Sequence, residues 1–139
     1  MLPNGQILST DFSKNAEVYT PSAPGNTNWA PVIKKVPARL AAGQTYTLTG
    51  TQLNGRSQGA YYGDDAQGAT NYPIVKIVHY ANGDVAYARS FDFARMSISG
   101  KAHDNSAKFT LPAGIEKGAS LLYVVANGIA SEPVSVRVR

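Results

Sequence analysis

Two Asn-Gly steps constrain the fold more than any other feature of the sequence. Asn82-Gly83 stands between the strand-like runs 74–80 and 85–89. Asn127-Gly128 stands between 121–125 and 134–138, with Ser131, Glu132 and Pro133 lengthening the second connection. A two-residue type I′ turn needs consecutive residues at positive φ, and Asn-Gly meets that need at least cost. The spacing therefore predicts a hairpin at each step. No apolar pattern of helical period accompanies them. The expected architecture is all-β, an antiparallel sandwich.

The rest of the chain fits a strand series. Residues 2–10 read as a turn and a short strand, 11–15 as a turn and 16–20 as a second strand, a hairpin with too few apolar residues to stand alone. Residues 21–30 form a Pro/Gly/Asn-rich linker. Residues 31–36 read as a strand that Pro37 ends or bulges. Thr45-Tyr-Thr-Leu-Thr-Gly50 alternates, with Tyr46 and Leu48 on one face and threonines on the other. Residues 54–71 are polar and Gly-rich, and a loop of that length inside a domain is usually functional or held by its own side chains. Strands follow at 74–80, 85–89, a short run near 96–98, 107–111, 121–125 and 134–138, at sandwich-like spacing. A turn-rich bridge, 111–118, precedes the last hairpin.

A length of 139 residues suggests one domain with a real core. Hydrophobic residues make up 43% and charged residues 16%, which argues against disorder in the body of the chain. The absence of cysteine excludes a disulfide framework, a thiolate zinc site and a cysteine nucleophile. No apolar stretch reaches the roughly 20 residues of a spanning helix, so no membrane role is expected. The N-terminus lacks the basic and apolar regions of a signal peptide. The chain is thus expected to be either cytoplasmic or a fragment of a longer protein. Net charge is +4 and the isoelectric point about 9.4. The basic residues look scattered: Lys34, Lys35 and Arg39 are the densest group, while Arg137 and Arg139 alternate with Val136 and Val138 as the wet face of a terminal strand. With no aromatic-basic stripe beside them, nucleic acid is not an expected partner.

Candidate chemistry concentrates in the long loop. Tyr61, Tyr62 and Tyr72 with Asp64 and Asp65 form a candidate ligand-binding group, because flat rings suit sugar faces and short polar side chains suit hydroxyls. The competing reading packs the tyrosines back on the sandwich and has the aspartates cap turns. Asp64-Asp65 also offers hard oxygen ligands for calcium, without the spacing of an EF-hand. His79 and His103 are the only histidines and neither has a partner at metal-ligand spacing, so no metal site is expected. Trp29 is expected to be buried, packing the linker on the sandwich. No nucleophile elbow, phosphate loop or zinc-protease helix is present, and Glu17 and Glu116 lack an acidic partner. No enzyme activity, catalytic residue or cofactor is expected.

Several segments in order carry a resemblance: Pro31-Val-Ile, Gly43-Gln-Thr-Tyr-Thr-Leu-Thr-Gly50, Tyr61-Tyr-Gly-Asp-Asp65, Asn71-Tyr-Pro, Leu111-Pro-Ala-Gly114 and Val124-Val-Ala-Asn-Gly-Ile-Ala-Ser131 with Pro133. Together they resemble the C-terminal immunoglobulin-like (early-set) domain of bacterial kelch-type proteins akin to galactose oxidase. The segment 2–8 resembles the last strand of the propeller that precedes such a domain. The resemblance implies an immunoglobulin-like antiparallel β-sandwich of seven or eight strands over residues 31–139, after a propeller-like hairpin and linker at 1–30. It implies a non-catalytic accessory module whose partner is a propeller domain or another protein, outside the cell or in the periplasm if part of a longer exported protein. In the copper oxidases of that family this domain lends a copper-binding His from a Thr-His pair. Ser90-Phe91 stands at that place here, and Phe cannot bind copper. A stand-alone carbohydrate-binding module and a copper oxidase remnant are the alternatives, and a homodimer through the N-terminal hairpin is a further expectation.

Overall fold

The computed structural model describes residues 1–11, 13–23, 25–56, 73–96, 98 and 103–139. It is an immunoglobulin-like β-sandwich preceded by a two-stranded hairpin, and the described residues contain no α-helix. The hairpin is β1 (Ile7–Thr10) and β2 (Ala16–Tyr19). A single 3-10 turn at Thr27–Trp29 interrupts the linker. The sandwich strands are β3 (Val32–Lys35), β4 (Arg39–Leu40), β5 (Thr45–Thr51), β6 (Ile74–His79), β7 (Val85–Phe91), β8 (Asp104–Thr110), β9 (Gly118–Ala126), β10 (Ile129–Ala130) and β11 (Val134–Val138).

Hydrogen bonds link the strands in the order β3-β5-β8-β7-β6-β9-β11-β4, with β10 beside β9. The single ladder curls into two layers because β7 changes partners part-way. Its residues Val85–Arg89 pair with β6, whereas Ser90 and Phe91 pair with β8. At the other end the chain crosses between layers at Pro37: β3 pairs with β5, and β4 pairs in parallel with β11. Proline has no N–H to donate and suits a crossing rather than a ladder position. Every other pairing is antiparallel.

Alternation fills the space between the layers. Leu48, Ala107 and Phe109 point in from one sheet; Val75, Ile77, Leu122, Val124, Val136 and Val138 point in from the other. Leu40, Leu53 and Leu111 close the ends. Tyr46 tilts against Phe109 with ring centroids 6.0 Å apart, and its hydroxyl accepts from the Ala41 N–H at 2.7 Å. The alternation predicted over 45–50 is therefore the packing pattern of β5, with Leu48 buried and Tyr46 half-buried.

The two Asn-Gly steps diverge. Asn127 and Gly128 both take positive φ, 50° and 70°, as a type I′ turn requires. The turn joins β9 to the two-residue β10, and β11 starts only after residues 131–133. At the other step Gly83 alone takes positive φ, 78°. Residues 80–83 make a four-residue loop closed by the Gly83 N–H to His79 O (3.0 Å) and the His79 N–H to Asp84 O (2.8 Å). The reason is the Asn82 side chain. Its Oδ1 accepts from the Asp84 N–H at 3.1 Å, an Asx turn that competes with the I′ geometry. The expected strand near 96–98 is also corrected: Met96 and Ile98 lie outside any strand. The Arg95 backbone is instead held by the buried Asn105 amide, which accepts from its N–H (2.9 Å) and donates to its carbonyl (2.9 Å).

Candidate interaction surface

The N-terminal hairpin is the least buried part of the described chain. All eight residues of β1 and β2 are exposed. Ile7 lies opposite Tyr19 and Leu8 opposite Val18. Cross-strand partners share a face and successive residues alternate, so each face of the ribbon carries one apolar pair. Leu8 is 50% exposed, Val18 52% and Tyr19 61%. A two-stranded ribbon that is apolar on both faces is marginal in water and gains stability from a third strand or a covering layer.

The turn of this hairpin is built by local side chains. Asp11 Oδ1 accepts from the Ser13 N–H at 3.0 Å, and Ser13 Oγ from the Asn15 N–H at 3.0 Å. The Ser13 side-chain bond, followed by its backbone N–H, holds the Asp11 carboxyl below its ordinary value. A depressed folded-state value means that this bonding is present above the ordinary carboxylate range and is lost as acid titrates the folded group.

The ribbon is tied to the sandwich at its base. Gly5 packs so close to Gly128 that a Cβ on Gly128 would lie 2.4 Å from Gly5 Cα. Gln6 Nε2 donates to Thr20 Oγ1 at 2.9 Å and joins the two legs of the ribbon there. A cleft of about 410 Å³ opens there, lined by Met1, Gln6, Pro21, Trp29, Asn127 and Ile129 among others. Trp29 is 48% exposed, which corrects the expectation of a buried indole. The 3-10 turn sets it in the lining of the cleft.

Gln52 positions the linker, and the sequence reading missed it. It is fully buried, and its Nε2 donates to Ala30 O (2.9 Å) and Asn28 O (3.1 Å). It does so from a left-handed backbone, φ 56°, which costs a non-glycine residue about 1–2 kcal/mol. We expect Gln52→Ala to keep that strain, orphan both carbonyls and destabilise the fold by about 2 kcal/mol, measured by urea unfolding. A loss below about 0.5 kcal/mol would show that the linker is held by something else.

The candidate residues Tyr61, Tyr62, Asp64, Asp65 and Tyr72 lie outside the described residues. His79, expected as a lone strand residue, sits in a polar network. Its Nδ1 is 2.9 Å from Asn82 Oδ1 and its Nε2 is 3.2 Å from Lys117 O. Asn82 Nδ2 in turn donates to Glu116 Oε2 (2.8 Å) and Asp84 Oδ2 (3.0 Å). Both ring nitrogens are engaged, and the network ties the β6–β7 loop to the bridge before β9. His103 is exposed. Among the described residues no three His, Asp or Glu side chains are grouped to hold a metal ion. At the position of the expected Thr-His pair, Ser90 is buried with its hydroxyl bonded to Pro73 O, and Phe91 is half-buried.

No protein-family model matches the chain, and no curated protein matches it significantly.

Proposed function

We propose that this chain is a non-catalytic accessory module of the kind that follows a propeller in kelch-type, galactose oxidase-like proteins. Its role is to bury the N-terminal hairpin against β-structure of a partner. The single observation behind this reading is the exposed ribbon with an apolar pair on each face. Such a ribbon gains most from a sheet that continues it or packs over it, with aromatic and aliphatic anchors inside a polar rim. The sequence adds support: it contains no cysteine, only two histidines and none of the common nucleophile or phosphate motifs.

The test is the native size of the gene product in its source cells. We expect a species, or a tight complex, much larger than 14.7 kDa. In the isolated chain we expect the β1 and β2 amides to exchange far faster than those of β6 and β9. A free 14.7 kDa monomer with slowly exchanging hairpin amides would overturn the proposal.

A further inference from the structure

The sheet β4-β11-β9-β6-β7 turns one face to the core, and its other face has a composition unlike the rest of the molecule. Because Val75, Ile77, Leu122, Val124, Val136 and Val138 point inward, the alternate residues point out. Register places these in rows. Tyr123, Lys76 and Tyr87 stand side by side across β9, β6 and β7. Leu121, Val78 and Val85 form the adjoining row, with Ser135 at its end. Arg137 lies beside Arg39 on the next row, and Arg139 follows in the same alternation. Arg89 marks the opposite corner beside Ile74.

Five cations thus stand on one face, and no Asp or Glu occupies an outward position of its strands. The chain has 13 Lys and Arg against 9 Asp and Glu, so the other eight cations are outnumbered by the acids. The basic character of the protein therefore belongs to this face. Arg39, Arg137 and Arg139 are exposed, as are Val85 (48%) and Tyr87 (44%).

We propose that this face docks an acidic protein surface, one with an apolar centre and carboxylates around it. The inference rests on reading the chain as an interaction module. Three features choose this occupant. The middle of the face is apolar and aromatic apart from Lys76, whose ammonium lies over the Tyr123 ring, while the arginines stand at its margins, the arrangement of a protein interface with a polar rim. Exposed arginines match carboxylates in bidentate geometry. A second copy presenting the same face would oppose like charges. Single-stranded nucleic acid fits less well, because its bases need successive free rings and Lys76 already covers Tyr123, its ammonium 5.7 Å from the ring centre. The platform spans about 19 Å from β4 to β7 at the usual strand spacing, enough for a modest interface.

The experiment places a photo-crosslinking residue at position 87, and separately at position 8, in the full chain expressed in its source cells. We expect position 87 to crosslink to protein, at a segment rich in Asp and Glu by mass spectrometry. The double variant R39E/R137E, with unchanged thermal unfolding, should lower that yield about tenfold or more, since like charges then face each other. Position 8 should be unaffected. Crosslinks to neutral or basic segments, to nucleic acid or to a second copy would overturn the proposal, as would a yield indifferent to the charge reversal. Crosslinking at 8 with none at 87 overturns this inference and leaves the hairpin reading standing. None at either position removes both.

Discussion

Phe109→Ala should cost about 3–5 kcal/mol, the range for emptying a fully buried phenylalanine site. Phe109 is wholly buried near the C-terminal end of β8. It pairs with Tyr46 of β5 on one side and with Ser90 on the other, where β7 changes layers. Its ring therefore fills the point at which the ladder folds over on itself. Removing it loses transfer energy, the contact with Tyr46 and the support of the β7 crossing together. Against a total stability of roughly 5–15 kcal/mol, the variant should be partly unfolded near 37 °C. Urea unfolding at constant slope measures the loss. Phe109→Leu keeps most of the volume and should cost under about 1.5 kcal/mol. If the two variants were equal, or if the alanine form lost less than 1 kcal/mol by this scale, the crossing would not depend on the ring.

How much of this was legible beforehand differs from element to element, for physical reasons. Alternation over 45–50 is a local property, and it describes β5 correctly. The Asn127-Gly128 turn is likewise local, and both residues take the positive φ that their types favour. Asn82-Gly83 misleads because the Asn82 side chain closes an Asx turn on Asp84 and is held in it by the His79 ring and by Glu116, the latter 34 residues away. Two-residue strands such as β4 and β10 leave no periodic trace, since two positions cannot show a period. The aromatic-basic platform escapes notice for the same kind of reason. Tyr87, Lys76 and Tyr123 are neighbours only after β7, β6 and β9 pair, and Arg39 meets Arg137 only through the parallel β4–β11 ladder. In sequence these residues look scattered, and a scattered charge reads as ordinary wet surface. Trp29 illustrates the converse error, because a large apolar residue in a linker invites a buried placement that the 3-10 turn does not provide.

Gly50→Ala should destabilise by about 3 kcal/mol, the upper part of the overpacking range, although it adds a single methyl group. Gly50 lies in β5 opposite Ile33 of β3, beside the register shift between Ile33 and Lys35. The shift draws the β3 backbone close. A Cβ on Gly50 would fall 2.0 Å from Val32 O and 3.1 Å from Leu53 Cδ2. The first of these atoms is backbone and cannot swing aside, so β3 itself must move and the Val32–Thr51 and Ile33–Gly50 pairings must open. Loss of β3 reaches further than its own ladder. Pro31 just before it is buried, and Ala30 O is the acceptor that Gln52 uses to hold the linker. A displaced β3 therefore frees the linker, the Trp29 turn and the hairpin they position. Gly114→Ala is the matched control, since a Cβ there meets nothing within 4 Å and should change stability by less than about 0.5 kcal/mol. Amide exchange separates the two consequences. In Gly50→Ala the β3 and linker amides should lose protection before those of β6 and β9, and photo-crosslinking from position 8 should fall with them. Uniform loss across the sandwich would mean instead that β3 is integral to the core, and that the hairpin is anchored mainly by the contact between Gly5 and Gly128.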